Sequence, residues 1–428
     1  MDANTGAATM SCPAQGDRRA TREDETIEPR VAREGGLWRI RSLDAARQVL
    51  RARHQTTQAG FTAEYIPKGR LEHRPILISD GAVHDQQRSE VARFFAPAVI
   101  EERYGDQIRG AARRWLDETG ARPFSLDDLA LNFTVDVTAE IVGLTHTTRH
   151  GTADERERQV RAMAHRLVSF FDQPPFDLSR RDLGRTRSQW AQAARRALWP
   201  LATFWAADVR PAVRERRRHP QDDVISHLVG QGWSGTEILI EALTYGTAGM
   251  VTTREFIAMA AWHLLTTPDL ADRYRAGGRD ERRAILQEVI RLEPVVGHLY
   301  RRTTQQIVVT DGQTLHVIGA GELVDVQVRA TNADLDDDPL RLCPARTMPS
   351  GVRPTGLAFG DGAHKCPGEP LALLEAEILL TELMARAPRL VTEPTLGWDE
   401  LVAGYELRGL LVELDSPDRA PHDVGRVE

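Results

Sequence analysis

Between Phe359 and Pro370 the chain reads Phe-Gly-Asp-Gly-Ala-His-Lys-Cys-Pro-Gly-Glu-Pro, with three glycines around one cysteine, and it runs straight into a helical pattern. Glycine permits a bend where a side chain would obstruct, so this run predicts a tight loop that carries Cys366 to a helix N-terminus. Backbone N–H groups gathered there favour the thiolate. A thiolate held in that way is a metal ligand or a nucleophile; the inert alternative is a buried cysteine beside a glycine-rich turn. The full pattern FxxGxxxCxG, with His364 two residues before the cysteine, is rarely met by chance.

The rest of the chain limits what that loop can belong to. Only Cys12, Cys343 and Cys366 occur in 428 residues, and no CxxC pair is present, which argues against a disulfide scaffold, a structural zinc and an iron–sulfur cluster. A net charge of −7 gives no support to a nucleic-acid binder of the basic kind. No apolar run approaches the roughly 20 residues that span a bilayer. Residues 1–30 are polar, with neither signal core nor anchor, and are expected to form a flexible tail on a cytoplasmic protein with reduced thiols. Cys12 and Cys343 are expected to be bystanders. From residue 31 to 428 the expectation is one large domain, mainly α with small β-sheets.

Helical periodicity covers about 44–53, 83–95, 99–118, 127–142, 154–171 and 185–218. An irregular stretch at 55–80 has the length of a functional loop. The longest helix begins at Ser234, where Ser234 and Glu237 form a capping box, and stops at Thr267-Pro268. A further helix spans about 280–293, strands follow around QQIVVTDG and LHVIGAGELVDVQ, and a last helix covers 370–387. The segment YELRGLLVELD is expected to close the chain as a strand pair.

The cysteine loop resembles the haem-ligand loop of the cytochrome P450 family, of soluble bacterial type. That resemblance implies a P450 fold around one haem b, with Cys366 as the axial ligand and Phe359, Gly360 and Gly368 shaping the loop. It implies that Glu288 and Arg291, at i, i+3 on one helical face, form a buried ion pair behind the loop. The chain has three other ExxR pairs, Glu90/Arg93, Glu155/Arg158 and Glu215/Arg218, but only the Glu288 pair precedes a proline-terminated helix and a hairpin as in the family. His84 and Arg88, at i, i+4, match the family's HxxxR ligands to the haem propionates, and Arg301 and His364 are the other propionate candidates.

In the long helix, Ala248, Gly249, Thr252 and Thr253 match the family's oxygen-binding groove, where the small pair leaves room and threonine orients dioxygen. Val251 stands where the family has an acid that relays protons. A plain buried helix with threonines bonded to their own backbone is the other reading of this stretch. The resemblance further implies electrons from a ferredoxin and its reductase, since no GxGxxG follows a predicted strand. Arg93, Arg113 and Lys365 are candidates for the docking face. Phe61, Tyr65, Ile66, Met163, Phe170, Val296 and Tyr405 are expected to line an apolar, aromatic pocket for a bulky specialised metabolite, with no nucleic acid or membrane partner. Two outcomes share that pocket, hydroxylation or epoxidation, and radical C–C or C–N coupling, the second favoured by Val251. A haem-binding sensor without turnover is the alternative class.

Overall fold

The computed structural model describes residues 17–22, 25–60, 64, 72–120, 122–145, 152–171, 185–335, 338–399 and 404–414. Helices make the bulk of it, as expected. Leu126–Val142 is buried on nearly every side, and so is Thr252–Thr266, which crosses it. Both are apolar all round, the pattern of helices enclosed by others. Trp115, Phe133, Phe256 and Tyr274 fill the core between them and the flanking helices.

The central helix begins as expected: the Ser234 hydroxyl accepts from the Glu237 N–H, and the Glu237 carboxylate accepts from the Ser234 N–H. It runs as Gly235–Tyr245, widens to a π-helical stretch at Gly246–Val251, and continues to Thr266. Thr267, forced out of helical geometry by Pro268, ends it. Sequence periodicity missed two short helices, Val224–Gly230 and Pro268–Ala276.

The sheets are small. Strands β1 (Val31–Glu34) and β2 (Leu37–Ile40) form a hairpin whose turn residues, Gly35 and Gly36, both have positive φ, the geometry of a type I′ turn. With β3 (Thr56–Gln58), β5 (His298–Thr303) and β8 (Leu323–Gln327) they build a five-stranded sheet in the order β1-β2-β8-β5-β3. Here β4 is Phe124–Ser125, and β6 (Ile307–Asp311) pairs with β7 (Thr314–Ile318) as the expected hairpin.

The last strands correct one expectation. Strand β11 (Gly404–Arg408) does not pair with β12 (Leu411–Leu414): β11 lies on β10 (Thr395–Asp399), and β12 lies between β4 and β9 (Pro388–Thr392). Gly409, at φ +76°, turns the chain out of one sheet, and the Leu410 N–H and C=O are taken by Asp127 and the Leu126 N–H. A hairpin would leave those two groups without their partners.

The described part of the N-terminal segment is docked, where the sequence suggested a flexible tail to residue 30. Arg18 donates to the Leu292 carbonyl at 2.8 Å and the Arg329 carbonyl at 2.9 Å, and the Ala20 N–H donates to Glu293. Glu293 and His263 are both fully buried, so this segment supplies hydrogen bonds that water cannot. Cys343 is disulfide-bonded and not the free thiol expected, its partner lying outside the described residues. Among the described residues, no helix is long and apolar enough to cross a membrane.

Candidate functional site

The cysteine loop is shaped by its glycines. Gly362 sits at φ +68°, and a Cβ there would lie 2.1 Å from the Leu50 carbonyl oxygen, so only glycine lets the helix Leu43–Arg51 pack this close. Arg51 pairs with Asp361 at 3.0 Å and fixes the same contact from outside. The loop closes on itself where the Cys366 N–H donates to the Phe359 carbonyl at 2.8 Å, and Glu369–Met384 then begins. Burial pushes the Cys366 thiol up, while the N–H groups of Gly368 and Glu369 and the Arg88 charge pull it down. The amides therefore aim at the sulfur as the sequence suggested, but the apolar surroundings outweigh them in the protein alone. Among the described residues no three His, Cys, Asp or Glu converge as a metal site.

Behind the loop, Arg291 and Glu288 meet in two hydrogen bonds of 2.6 and 2.8 Å, both side chains buried. Arg291 also donates to the carbonyls of Asn332 and Pro339, and Glu288 accepts from the Cys343 N–H and Arg346. Asn332 completes the link, accepting from the Leu357 N–H two residues before Phe359. The pair thus clamps the chain that leads into the cysteine loop. Arg346 was not legible in the sequence, since nothing in its neighbourhood marks it as a third member.

A second cluster faces the opposite way. His84 is buried and its ring lies 4.1 Å from that of His364. Burial, with His364 and Arg88 nearby, lowers the His84 pKa to about 4, so it is a neutral donor at pH 7. His364 contacts Asp80 at 3.2 Å. Arg88 donates to the Lys365 carbonyl, and Arg301 donates to the Tyr300 carbonyl and to Gln58. Burial lowers the Arg301 pKa to about 10. Among the described residues, neither Arg88 nor Arg301 has a carboxylate within ion-pair distance. Two sheltered guanidinium groups without an anion, beside two neutral imidazoles, suit a ligand bearing two carboxylates.

Between the two clusters lies a cavity of about 370 Å³. Its walls include Ala248, Gly249, Thr252, Thr253, Phe359, Gly360, Arg301, His364, Cys366 and Gly368, which the sequence had separated by more than a hundred residues. Phe170 and Val296 also line it, as expected. Met163 does not: it is enclosed in the core, two turns before Phe170 on the same helix. Tyr405 does not either; strand pairing turns it onto the far side of the central helix, where its hydroxyl reaches the carbonyls of Glu255 and Glu293. Phe61, Tyr65 and Ile66 lie outside the described residues. Ile78, Thr244 and Leu299 are also on the walls, from the 55–80 segment, the long helix and the 295–299 stretch that were expected there, whereas Phe95 and Ile240 were missed, because apolar wall residues look like any core residue in sequence.

The central helix controls the roof. Glu237 accepts from the His73 N–H at 2.8 Å and Glu241 from the Ile76 N–H at 3.1 Å, which hangs the wall segment Pro75–Ile78 on two carboxyls. Burial raises the Glu241 pKa to about 7, against the Ile76 N–H and the Tyr245 hydroxyl, which both pull it down. Among the described residues Glu375 is the one carboxyl side chain on the cavity wall, buried and pushed well above the usual range by that burial. Glu255 turns away to Arg254, Arg408 and the Leu407 N–H, so it does not replace the acid missing at Val251. The basic residues expected on a docking face are engaged: Arg113 with Glu382, Lys365 with Glu369, and Arg93 over the Phe94 ring.

The family model described as Cytochrome P450 matches residues 282–386, from the Glu288 helix through Cys366. The chain is 29% identical over 323 residues to the erythromycin C-12 hydroxylase of Saccharopolyspora erythraea, covering 73% of each. It is 33% identical over 189 residues to the cyclomarin C epoxidase CymV of Salinispora arenicola, covering 42% of this chain and 45% of that one. A solved structure of a mutant of P450 EryK with erythromycin B superposes with a TM-score of 0.72 at 24% identity, covering 92% of this chain and 95% of that one.

Proposed function

Because the chain belongs to the cytochrome P450 family, a monooxygenase family that binds haem through a cysteine thiolate, we propose that Cys366 is that thiolate and that the protein oxidises a bulky specialised metabolite. The observation that carries the reading is the buried Arg301 guanidinium, which has no carboxylate within ion-pair distance among the described residues and shares a cavity wall with Cys366, with half-buried Arg88 held against the same loop at the Lys365 carbonyl. A haem carries two carboxylates and needs one axial ligand, and the residues present fit both needs. Arg88, Arg301, His84 and His364 would hold the propionates, with Phe359, Gly360 and Gly368 forming the cradle.

When bound, the haem iron supplies dioxygen activation. The protein's part is positional. The Cys366 sulfur receives the N–H groups of Gly368 and Glu369, which restrain its charge. Ala248 and Gly249 keep the cavity open over that point. Thr252, whose hydroxyl donates to the Ala248 carbonyl at 2.5 Å, turns its lone pairs to the cavity. Phe95, Phe170, Ile240 and Val296 exclude water around the substrate and favour an apolar or aromatic group near the reacting position. A ferredoxin with its reductase is the proposed electron source.

Hydroxylation or epoxidation is the first reading, in keeping with the named activities of the two relatives. Radical coupling is kept as a second reading because of the departure at Val251. The reduced protein should give the thiolate-type red-shifted band with carbon monoxide, and Cys366→Ala should abolish it. Survival of the band in that variant would sink the ligand assignment. Product mass separates the outcomes: a gain of one oxygen supports insertion, and a loss of two hydrogens supports coupling.

A further inference from the structure

The stretch Gly246–Val251 is wider than an α-helix, and helix Leu126–Val142 packs against it with two threonines one turn apart. Thr134 donates to the Met250 carbonyl at 3.0 Å across the gap between the helices. Thr138 faces Gly249: a Cβ at Gly249 would lie 3.5 Å from the Thr138 methyl and 3.6 Å from its hydroxyl oxygen. Thr138 is only 3% exposed, it lines the cavity, and its hydroxyl has no hydrogen-bond partner in the protein. Val251, where a relaying acid would stand, is buried and absent from the cavity wall.

A buried hydroxyl without a partner is costly, and ordered water is the usual remedy where space and other polar groups allow it. Thr138 stands on the cavity wall, and Thr252 on the same wall supplies a second polar group. Gly249 and Ala248 carry little or no side chain, and Thr252 has given its proton to the Ala248 carbonyl, so its lone pairs are free to accept from a water. We propose that Thr138 binds a water molecule at the widened turn, and that this water with Thr252 passes protons to the reaction in place of the acid missing at Val251. Thr138 is then a positioning residue, acting through the water. The proposal rests on the monooxygenase reading above.

The stoichiometry shows what is at stake. Insertion takes substrate RH, dioxygen, two protons and two ferredoxin electrons to ROH and water. If protons reach the oxygen poorly or at the wrong atom, the same two electrons and two protons leave with dioxygen as hydrogen peroxide. Product formed per electron pair therefore reports proton handling, and peroxide reports its failure.

The test uses the full-length holoenzyme with wild type, Thr138→Val and Thr138→Ser. Thr138→Val keeps the shape and removes the hydroxyl; product per electron pair should fall roughly tenfold or more, within the range of positioned proton transfer, with peroxide rising to match. Thr138→Ser should restore most of the coupling. Melting of the protein without turnover gives an independent reading: a stranded hydroxyl predicts that Thr138→Val raises Tm, whereas a hydroxyl bonded to water predicts no change or a fall. Unchanged coupling in Thr138→Val, failure of serine to rescue, or a raised Tm would each overturn the proposal. A wild-type protein lacking the carbon-monoxide band would instead sink the monooxygenase reading beneath it.

Discussion

Arg291 and Arg301 are both buried and stand ten residues apart in the chain, yet they are answered differently. Arg291 lies 2.6 Å from the Glu288 carboxylate and spends its remaining donors on backbone carbonyls. Arg301 finds only the Gln58 amide and its neighbour's carbonyl. An ion enclosed with its partner belongs to the scaffold. One enclosed without a partner is costly to the protein alone, and is sustained by what binds there. The comparison distinguishes a structural charge from a binding charge without reference to any relative.

The largest effect that can break this comparison is at the closed pair. Glu288→Ala leaves Arg291 charged and buried, and should cost about 3–5 kcal/mol, read as loss of soluble protein or a strongly lowered urea midpoint. The loss should be the same with or without haem. Arg301→Met is the contrasting case. Removing a buried unanswered charge should leave the haem-free protein as stable or slightly more so, while haem affinity falls by about 1.5–3 kcal/mol, roughly tenfold to a hundredfold, in a titration of apoprotein with hemin. Equal destabilisation of the haem-free protein by both substitutions would abolish the distinction.

Glu241 sharpens the comparison from the side of the acids, since it meets burial by giving up its charge. Its pKa in the fold, about 7, lies above the ordinary 4.5, so its contribution to stability is fully present below pH 4.5 and is lost as the pH rises to 7. Glu241→Gln should flatten that fall, about 2–3 kcal/mol in wild type, in urea melts across the same window. The smallest effect is expected at Val251→Asp. If the water held by Thr138 already carries protons, the added acid should change turnover by no more than roughly threefold, or about 0.7 kcal/mol of barrier. Its clearer sign should be a lowered Tm, from a carboxyl placed at a buried position.

What could be read from sequence followed the range of the interaction. Helices announced themselves through periodicity and local stops such as Ser234 and Pro268. The cysteine loop was legible because glycines at fixed offsets are a local backbone requirement. The Glu288–Arg291 pair was legible because i, i+3 spacing is local too. Arg346, the third member of that network, was not, because it arrives through a fold-level return of the chain. Tyr405 was misplaced for the related reason that a residue's type does not say which face of its element meets the cavity, and Met163 because its type does not say how far along its helix the cavity reaches. The docked N-terminal segment was hidden because polar residues that satisfy buried groups look like polar residues in water.

That segment has a practical consequence for anyone preparing the protein. Trimming the chain at residue 30 as dispensable would strip Arg18, Arg19 and Ala20 from the buried Glu293 and the end of the Glu288 helix. A shortened protein that purifies with little pigment could then be reporting a damaged clamp on the cysteine loop and not an intrinsic reluctance to take up its cofactor.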